Sequence, residues 1–456
     1  MSAAPTRRVL VANRGEIAVR VIRAAHSCGW EAVAVHSDAD AGSRWVALAD
    51  EARHIGPSPA RRSYLDIDAV VQAALDSGCT HVHPGYGFLA ERPEFARRVR
   101  EAGLVFVGPS AEVIESMGDK ASARRTAEEA GVPVVPGSGV VADPAGARAA
   151  AADIGYPLLI KAAAGGGGRG IRVVRADDEL EGAVSTAQAE ASAAFGDGSL
   201  YLERSIEGAR HIEVQVVGDT HGNVVHFFER DCSVQRRRQK LLEEAPAPGL
   251  STTLRDEITG AAVRLAAEVG YQGAGTVEFL VEGERFYFIE MNTRIQVEHP
   301  ITEMVTGTDL VVEQLRVAAG EPLSVSQGEI TLQGVALEFR INAEDPQQDF
   351  FPSPGELTRF DPPNGPGVRV DSGFVSGGRI VPYYDSLVAK VVVHGRDREE
   401  ALARATQALT ELTVDGVVTT RDLHLSLVAD EEFRAGGVTT TWFEERSTAS
   451  DRSAEG

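Results

Sequence analysis

The sequence predicts a mixed α/β and α+β protein in which a parallel sheet with helical crossovers is followed by strand-rich and α+β regions. Three observations support this fold class. Strands and helices alternate through the first third of the chain, strands dominate from Tyr156, and both are mixed again after Gly334. With 456 residues and 43% hydrophobic content, the chain can bury cores in about two to four domains.

The first third of the chain predicts a βαβ unit that continues into a parallel sheet. Strands are predicted at residues 9–12, 31–35, 80–83 and 104–107, and amphipathic helices at residues 16–25 and 67–74. Residues 13–16 stand where a dinucleotide-binding loop would follow the first strand, but they lack its glycine pattern. This region is therefore interpreted as scaffold.

A domain boundary is predicted near residue 115. A helix begins near Asp119 and stops at Gly131, before a linker at residues 133–144 that is rich in Gly and Pro. The expected divisions are residues 1–115, 116–330 and 331–446. The small polar residues at 447–456 are expected to be a disordered tail.

Composition excludes several classes of partner. The formal net charge of −22 and the lack of a basic tail argue against nucleic acid and membrane surfaces, so an anionic substrate needs a local cationic pocket. The three cysteines, Cys28, Cys79 and Cys232, lack metal-ligand spacing and do not suggest a disulfide framework. No signal core or apolar run of ~18 residues is present, which predicts a cytoplasmic protein.

Lysine is rare in this chain. Of the 45 lysine and arginine residues only four are lysines, at positions 120, 161, 240 and 390. A lysine that persists can mark a site that requires a compact ammonium, as phosphate contacts often do. The alternative is that a coding bias favours arginine and that the four remaining lysines have no special role.

The glycine-rich run at residues 165–170 lies between strand segments at 158–161 and 171–174. A dinucleotide-binding loop opens a helix, and a P-loop continues into Lys-Ser or Lys-Thr, so this order predicts a hairpin flap. The glycine N–H groups can approach phosphate oxygens, and Lys161 adds a positive charge just before the run. A merely flexible hairpin is the alternative.

Residues 276–281 and 285–292 predict a second hairpin, which carries acidic side chains inside apolar strands. If its loop is residues 282–284, Glu278 pairs with Phe288 and is a same-face diagonal neighbour of Glu290, within roughly 7–8 Å. A two-residue loop would place the two carboxylates on opposite faces.

The acidic pair predicts a Mg-ATP site. Asn292 shares a face with Glu290 by the two-residue period of a strand. Buried acids are costly unless they are paired or bind a metal, and Mg²⁺ is typically held by one or two carboxylates together with nucleotide phosphates. A solvated sheet face is the alternative.

Beyond the hairpin, a polar segment interpreted as extended contains Arg294, Gln296, Glu298 and His299 and ends at Pro300. Arg294 can hold an oxyanion, and Glu298 can accept a proton if it is suitably placed. Attachment of the segment to the predicted metal site favours a functional role over surface decoration.

Two further cationic features remain open on sequence grounds. Residues 236–240 form the main cationic cluster, which is either a solvated charge run or, because it holds the rare Lys240, a site. Arg340 lies inside the apolar run 336–341 and is either a buried ion-pair partner or an anion ligand.

Together these motifs resemble one family, the biotin carboxylases, which are members of the ATP-grasp enzymes. The matching segments cover nearly the whole chain: VANRGEI at 11–17, HPGYGF at 83–88, MGDK at 117–120, Lys161 with the glycine flap, RDCS at 230–233, EMNTRIQVE at 290–298, RINAE at 340–344 and YYDS at 383–386. The resemblance implies an N-terminal parallel α/β domain (1–115), an ATP-grasp domain (116–330, with a flap at about 135–205) and a C-terminal α+β biotin carboxylase domain (331–446).

The resemblance also implies three binding sites. ATP would be surrounded by Lys120, Lys161, Gly167, Gly168, Glu203, Arg204, Ser205, Ile206, His211 and Arg238. Mg²⁺ (or Mn²⁺) would be held by Glu278, Glu290 and Asn292. Bicarbonate would be bound by Lys240, Arg294, Gln296, Val297 and Arg340.

The catalytic residues that the resemblance implies are Lys240, Arg294 and Glu298. Glu298 resembles the base that deprotonates bicarbonate for attack on the γ-phosphate, which gives carboxyphosphate. Carboxyphosphate would then release CO₂ beside biotin. Arg294 would stabilise the enolate-like biotin, and Arg340 would help to bind biotin and bicarbonate.

Two positions depart from the family pattern. Residue 238 is arginine where the family usually has histidine or asparagine, and Ala164 stands where related flaps often carry another glycine. Arg238 puts the local nucleotide contacts in doubt.

No lysine lies in the Met-Lys-Met context that biotinylated carrier domains resemble, and no carboxyltransferase segment is evident. The resemblance therefore implies the separate biotin carboxylase subunit of an acyl-CoA carboxylase, such as the acetyl-CoA carboxylase of fatty acid biosynthesis. It would work as a homodimer with a biotin carboxyl carrier protein and a carboxyltransferase subunit. The alternatives are another ATP-grasp carboxylate ligase, or a nucleotide-binding subunit that is catalytically impaired by Arg238.

Overall fold

The structure, a computed structural model, describes residues 7–141, 143–162 and 172–446. The chain forms two compact units: a larger one from residues 1–132, 210–279 and 290–456, and a smaller one from residues 133–209 and 280–289. The predicted tail, Ala164 and the glycines of the predicted flap lie outside the described residues.

Strands and helices alternate at the start of the larger unit, as predicted. The strands are β1 (Arg8–Val11), β2 (Glu31–His36), β3 (Glu51–His54), β4 (His81–His83) and β5 (Val105–Phe106). The helices are α1 (Gly15–Ser27), α2 (Arg44–Leu48), α3 (Ile67–Asp76), α4 (Pro93–Glu101), α5 (Ala111–Gly118) and α6 (Lys120–Glu129). The strands form a parallel sheet in the order β3-β2-β1-β4-β5. Val9, Leu10 and Val11 are all fully buried, as expected for a parallel strand covered on both faces.

Polar side chains define where several helices begin. Asp66, Ser110 and Asp119 each accept a hydrogen bond from a backbone N–H of the first turn of α3, α5 and α6. The cap at Asp119 places Lys120 at the first position of α6 and confirms the helix predicted to begin there.

The smaller unit is a three-stranded antiparallel sheet with two helices. Its elements are α7 (Pro144–Ile154), β6 (Leu158–Ala162), β7 (Arg172–Val174), α8 (Asp177–Phe195) and β8 (Leu200–Arg204). The strand order is β7-β6-β8, and alternate residues of β6, Leu158 and Ile160, pack against Leu180 and Val184 of α8. β6 and β7 pair antiparallel, which agrees with the prediction of a hairpin whose two strands flank the glycine run.

The middle of the chain contributes β9 (Arg210–Gly218), β10 (Val224–Arg236), β11 (Gln239–Ala245), α9 (Thr252–Glu268), β12 (Gly273–Glu282), β13 (Arg285–Asn292), α10 (His299–Thr306) and α11 (Leu310–Ala318). The helix predicted at about 254–269 is confirmed to within two residues.

The last part is α+β, as predicted. Its strands are β14 (Val335–Asn342), β15 (Glu344–Asp345), β16 (Phe351–Pro352), β17 (Gly355–Glu356), β18 (Arg359–Asp361), β19 (Val368–Ser372), β20 (Arg379–Ile380), β21 (Leu387–Gly395) and β22 (Thr413–Asp415). Its helices are α12 (Arg398–Glu411), α13 (Arg421–Ala429) and α14 (Glu431–Ala435).

One eight-stranded sheet, ordered β13-β12-β9-β10-β11-β14-β21-β19, joins strands of the middle and the last parts of the chain. The boundary predicted at residue 331 therefore falls between β11 and β14, which pair with each other. That boundary stays a prediction.

The two faces of β14 differ in chemistry. Leu337, Phe339 and Ile341 belong to an apolar core that includes residues of α12 and α13. Glu338 and Arg340 alternate with them on the opposite face, where α10 packs. This second face is buried although it is charged, and it positions the candidate site.

All three cysteines are free, with Cys28 partly exposed and the other two buried. Within the described residues, no helix combines the length and the apolar character needed to cross a membrane.

Close packing at Gly218 gives a test of the fold. A Cβ atom there would meet the Tyr271 carbonyl oxygen at 2.0 Å, and this contact is backbone that cannot rotate away. Gly218→Ala is expected to destabilise the protein by about 1–3 kcal/mol, because overpacking forces the backbone to shift. Thermal unfolding measures this as a lower midpoint.

Gly260→Ala is the matched control. Gly260 lies inside α9, where a Cβ would touch only the end of the Arg264 side chain at 3.4 Å. Alanine there is expected to stabilise by about 0.5–1 kcal/mol. An unchanged midpoint in Gly218→Ala would contradict the packing of β9 against Tyr271.

Candidate active site

Lys240 lies at the centre of the candidate site. Its Nζ is 2.6 Å from Glu213 Oε2, 3.2 Å from Glu278 Oε1 and 2.6 Å from Glu298 Oε1. Burial alone would lower the pKa of Lys240, but the surrounding acidic groups raise it well above its usual value. Lys240 is therefore a charged ammonium shared by three carboxylates.

A two-residue turn between β10 and β11 directs Lys240 into the site. Arg237 and Arg238 both adopt left-handed φ values, 46° and 67°, which suit a tight hairpin but are uncommon for residues other than glycine. Arg236 and Arg237 form ion pairs with Asp349, away from Lys240. The predicted cationic cluster is thus divided: of its described residues, Lys240 contacts the three glutamates of the candidate site, whereas Arg236 and Arg237 contact Asp349.

Arg238 is exposed, and no hydrogen bond or ion pair of its side chain occurs within the described part of the chain. Its predicted contact with a nucleotide stays a prediction.

Arg340 and Glu298 form a second part of the site. Arg340 is 2.9 Å from Glu298 Oε2 and 2.5 Å from Glu243 Oε1, so the ion-pair alternative holds for this structure. Burial alone would raise the pKa of Glu298, but Lys240, Arg340 and Arg230 lower it strongly. Glu298 is therefore ionised although it is almost wholly buried.

Arg230 is fully buried and uses all five of its N–H groups. It donates to Glu213 Oε1, Gln215 Oε1, Thr302 Oγ1, Thr276 Oγ1 and Gln296 Oε1 over distances of 2.6–3.2 Å. A saturated guanidinium fixes the orientation of each partner, including Glu213 beside Lys240 and the predicted bicarbonate ligand Gln296.

The segment after β13 is a turn into α10, so its interpretation as extended is wrong. Bends occupy residues 293–294 and a turn residues 297–298, and α10 begins at His299 with Pro300 in its first turn. Proline is accommodated there because the first helical N–H groups need no intrahelical acceptor. The turn allows Gln296 and Glu298 to converge on Glu278 and Lys240, respectively.

Arg294 lies on the same turn, next to the predicted metal ligands. Its guanidinium donates to Asn292 Oδ1 at 3.1 Å, and its Nε is 3.0 Å from Glu91 Oε2. Burial would lower the pKa of Arg294, whereas Glu91 raises it. The carbonyl oxygen of Val297, a predicted bicarbonate ligand, accepts a hydrogen bond from Lys390 Nζ at 2.7 Å.

The loop of the predicted metal-binding hairpin is two residues long, not three. β12 ends at Glu282 and β13 begins at Arg285. Burial does not alternate along β13, where residues 286–288 are all buried, so the separation of the two acids on opposite faces stays a prediction. Counting from the turn therefore does not determine which side chains meet.

Asn292 nevertheless contacts Glu278, and the charge of Glu278 acts on Glu290. Asn292 Nδ2 donates to Glu278 Oε1 at 2.8 Å. Burial and then the charge of Glu278 raise the pKa of Glu290, whereas Lys120 lowers it. Glu278 itself has a pKa far below its usual value, because Lys240 and His211 outweigh the cost of burial. Two interacting acids and an amide form a donor set of the kind that Mg²⁺ takes.

The predicted nucleotide residues fall in both compact units. His211 Nε2, in the larger unit, is 2.9 Å from Glu278 Oε2, and Lys120 is exposed. In the smaller unit Lys161 pairs with Glu203, and Arg204 pairs with Glu282 at 2.8 Å. The backbone N–H of Ser205 donates to the Pro157 carbonyl, and Ile206 is partly buried. Gly167 and Gly168 lie outside the described residues.

Sequence reasoning assigned no site role to several residues whose side chains contact the predicted ligands, among them Glu91, Glu213, Arg230 and Glu243. The available signal was a charged residue among apolar neighbours, as for Glu213 in β9 and Glu243 in β11. The same signal drew attention to Arg340. Glu91 follows the HPGYGF segment in a turn, where an acidic residue is ordinary.

This arrangement can carry out three chemical tasks. Lys240, Arg294 and Arg340 supply positive charge for a small anion. The acids of the hairpin suit a divalent cation. Glu298, ionised and in contact with Lys240 and Arg340, can accept a proton.

Comparisons with known proteins agree along the whole chain. Residues 5–114 match the family described as "Biotin carboxylase, N-terminal domain", residues 119–326 match "Carbamoyl-phosphate synthase L chain, ATP binding domain", and residues 338–445 match "Biotin carboxylase C-terminal domain". The biotin carboxylase of Pseudomonas aeruginosa is 53% identical over 96% of this chain and 98% of its own length.

Two solved structures are also similar. One is the biotin carboxylase domain dimer of the Hydrogenobacter thermophilus 2-oxoglutarate carboxylase with MgADP, ADP and bicarbonate (TM-score 0.91, 48% identity, 98% of each chain). The other is a Campylobacter jejuni biotin carboxylase in complex with β-γ-ATP (TM-score 0.91, 45% identity, 96% of this chain and 98% of that chain). Identity near one half over nearly full length, together with this site, shows that the chain belongs to the biotin carboxylase family.

Proposed function

We propose that this chain catalyses the ATP- and bicarbonate-dependent carboxylation of biotin, the first half-reaction of an acyl-CoA carboxylase. One observation carries the proposal: an ionised, buried Glu298 is held between Lys240 and Arg340, beside the acidic hairpin. A base, anion-binding cations and a metal-binding pair are the groups that phosphorylation of bicarbonate requires.

Glu298 is the proposed base. In the free enzyme Lys240 and Arg340 hold its pKa low, which keeps it deprotonated but makes it a weak base. Bicarbonate bound to the same two cations would share their hydrogen bonds and weaken their hold on Glu298. The proton affinity of Glu298 then rises at the moment when bicarbonate must lose its proton to attack the γ-phosphorus of ATP.

Arg294 and Gln296 have complementary roles in this proposal. The attack gives ADP and carboxyphosphate, which breaks down to CO₂ and phosphate. The released phosphate takes the ureido N–H proton of biotin, and the deprotonated nitrogen attacks CO₂. The Arg294 guanidinium stabilises the enolate-like ureido oxygen. Gln296, fixed by Arg230 and Glu278, orients bicarbonate, as does Val297.

Glu278, Glu290 and Asn292 fit a Mg²⁺ (or Mn²⁺) ion. The raised pKa of Glu290 reports repulsion from Glu278 as well as burial, and a divalent cation bound there would relieve both. When bound, the ion neutralises charge on the ATP phosphates. Lys120, Lys161, His211, residues 203–206 and the glycines 167 and 168 are proposed to bind ATP, with Arg238 as a further candidate.

Biotin is proposed to arrive on a separate biotin carboxyl carrier protein, with a carboxyltransferase subunit completing the reaction. The full-length match to the Pseudomonas aeruginosa biotin carboxylase supports this subunit organisation. A homodimer is supported by the dimeric Hydrogenobacter thermophilus domain. The three-domain division at residues 115 and 330 and the cytoplasmic location belong to the same proposal.

The activity is tested by ATP hydrolysis with purified chain. Hydrolysis is expected only when bicarbonate and Mg²⁺ are present, and free biotin is expected to stimulate it, because biotin consumes the CO₂ that the site releases. Stimulation by an amino acid instead would identify another ATP-grasp ligase.

Lys240→Ala and Arg294→Ala are each expected to reduce biotin carboxylation by about 100-fold or more, because each removes positive charge near a developing anion. The rate of carboxybiotin formation measures this, and circular dichroism verifies that each variant is folded. A near-normal rate in either variant would refute that residue's assignment.

Glu290→Gln is expected to increase the Mg²⁺ concentration for half-maximal ATP hydrolysis about tenfold, because one charged ligand is lost. Glu257→Gln removes the same charge from an exposed position on α9 and is the matched control. If both variants require the same Mg²⁺ concentration as the unmodified chain, Glu290 is not a ligand.

A further inference from the structure

Lys390 is the one lysine of the four that the proposed function leaves without a role. It lies in the middle of β21 with none of its side chain exposed, whereas lysine is seldom fully buried unless it is paired. The other three lysines are all proposed to contact ATP or bicarbonate. A fully buried ammonium on the charged face of the sheet therefore needs an explanation.

The ammonium of Lys390 has two described partners. It donates to the carbonyl oxygen of Val297 at 2.7 Å and lies 3.0 Å from Glu16 Oε1 in α1. Glu16 Oε1 also accepts a hydrogen bond from the Tyr86 hydroxyl at 2.5 Å. Burial would lower the pKa of Lys390, but Glu16, Glu338 and Asp371 raise it, so the ammonium remains charged.

Register places Lys390 beside Arg340. The two residues are directly paired between β21 and β14 and project from the same face of the sheet. Arg340 contacts the side chain of Glu298, and Lys390 contacts the main chain of the preceding residue, Val297. Two cations on adjacent strands thus hold two consecutive residues of the turn that carries the proposed base.

A purely structural ion pair with Glu16 does not account for the Val297 contact. That carbonyl lies in the short turn before α10, where the carbonyls of Gln296 and Glu298 accept backbone N–H groups. Among the described residues, the Val297 carbonyl accepts from Lys390 instead. Gln296 is held by Arg230, and Glu298 by Lys240 and Arg340. Lys390 supplies the corresponding restraint for the residue between them.

Lysine suits this place better than arginine. A compact ammonium can approach one carbonyl and one carboxylate in a closed space, whereas a guanidinium is larger and planar. This distinction explains why lysine is kept in a chain that otherwise uses arginine almost throughout.

We infer that Lys390 is a positioning residue for bicarbonate, which holds the backbone at Val297 so that Gln296, Val297 and Glu298 face the anion together. The inference rests on the proposed function. It assigns to Lys390 no contact with bicarbonate, nucleotide or biotin.

Lys390→Met tests the inference, because it keeps the length of the side chain and removes the ammonium. It is expected to raise KM for bicarbonate about tenfold or more, while KM for Mg-ATP changes by no more than about twofold. This split separates a local displacement of the bicarbonate turn from a general loss of structure, which would affect both constants.

Glu16→Gln distinguishes the two partners of Lys390. Glutamine removes the charge of the ion pair but leaves the ammonium bonded to Val297, so KM for bicarbonate is expected to change by less than about threefold. If Lys390→Met does not fold with Glu16 left unpaired, Lys390→Met combined with Glu16→Gln removes both charges and is measured in its place.

Arg398→Met is a matched control in the same part of the chain. Arg398 also joins a buried glutamate, Glu244, to main-chain carbonyl oxygens, those of Phe433 and Arg434. It contacts no part of the turn at 293–298 among the described residues. Its loss is expected to lower the unfolding midpoint and to leave KM for bicarbonate within about twofold.

The outcomes separate the inference from the proposed function. If the unmodified chain shows no bicarbonate-dependent ATP hydrolysis, the proposed function fails and the inference falls with it. If the unmodified chain is active but folded Lys390→Met keeps its KM for bicarbonate, only the inference is overturned. It is likewise overturned if Glu16→Gln or Arg398→Met raises that KM as much as Lys390→Met does.

Discussion

The ammonium of Lys240 is the interaction on which the candidate site depends. Glu213, Glu278 and Glu298 are nearly inaccessible to water, and three such carboxylates would repel one another strongly in a medium of low polarizability. Lys240 lies within 3.2 Å of an oxygen of each. It therefore offsets the repulsion among these acids and lowers the pKa of Glu278 and Glu298 before any ligand is bound, as a metal-binding residue and a base require.

The same electrostatic constraint extends across the sheet. Glu243, Glu338, Arg340, Lys390 and Asp371 are register neighbours on the face that α10 covers. Glu338 is the exception to the pairing, because neither of its oxygens accepts a hydrogen bond from a described residue. Burial raises its pKa far above the usual value. A buried charged face is costly to form, but it holds each group in one orientation.

Two short turns bring the residues of the candidate site together. The turn at Arg237 and Arg238 reverses the chain, so that Lys240 returns to the sheet. Arg236 and Arg237 pair with Asp349 instead. The turn at 293–298 bends the chain into α10, so that alternate polar residues converge instead of pointing along a strand. Neither turn contains glycine, the residue that most often marks a tight turn in a sequence.

The sequence by itself determined the alternation of strands and helices in the first third, the strand-rich middle and the mixed last part, and it marked the rare lysines, because hydrophobic periodicity, caps and composition are properties of the sequence. Through the resemblance to the biotin carboxylases, it also predicted Lys240, Glu298 and Arg340 as members of one site. Only the tertiary structure decided their partners: that Arg230 saturates its donors on Glu213 and Gln296, and that Lys390 contacts the Val297 carbonyl. These contacts join residues far apart in the chain, and their energies depend on burial and register, which no local pattern encodes.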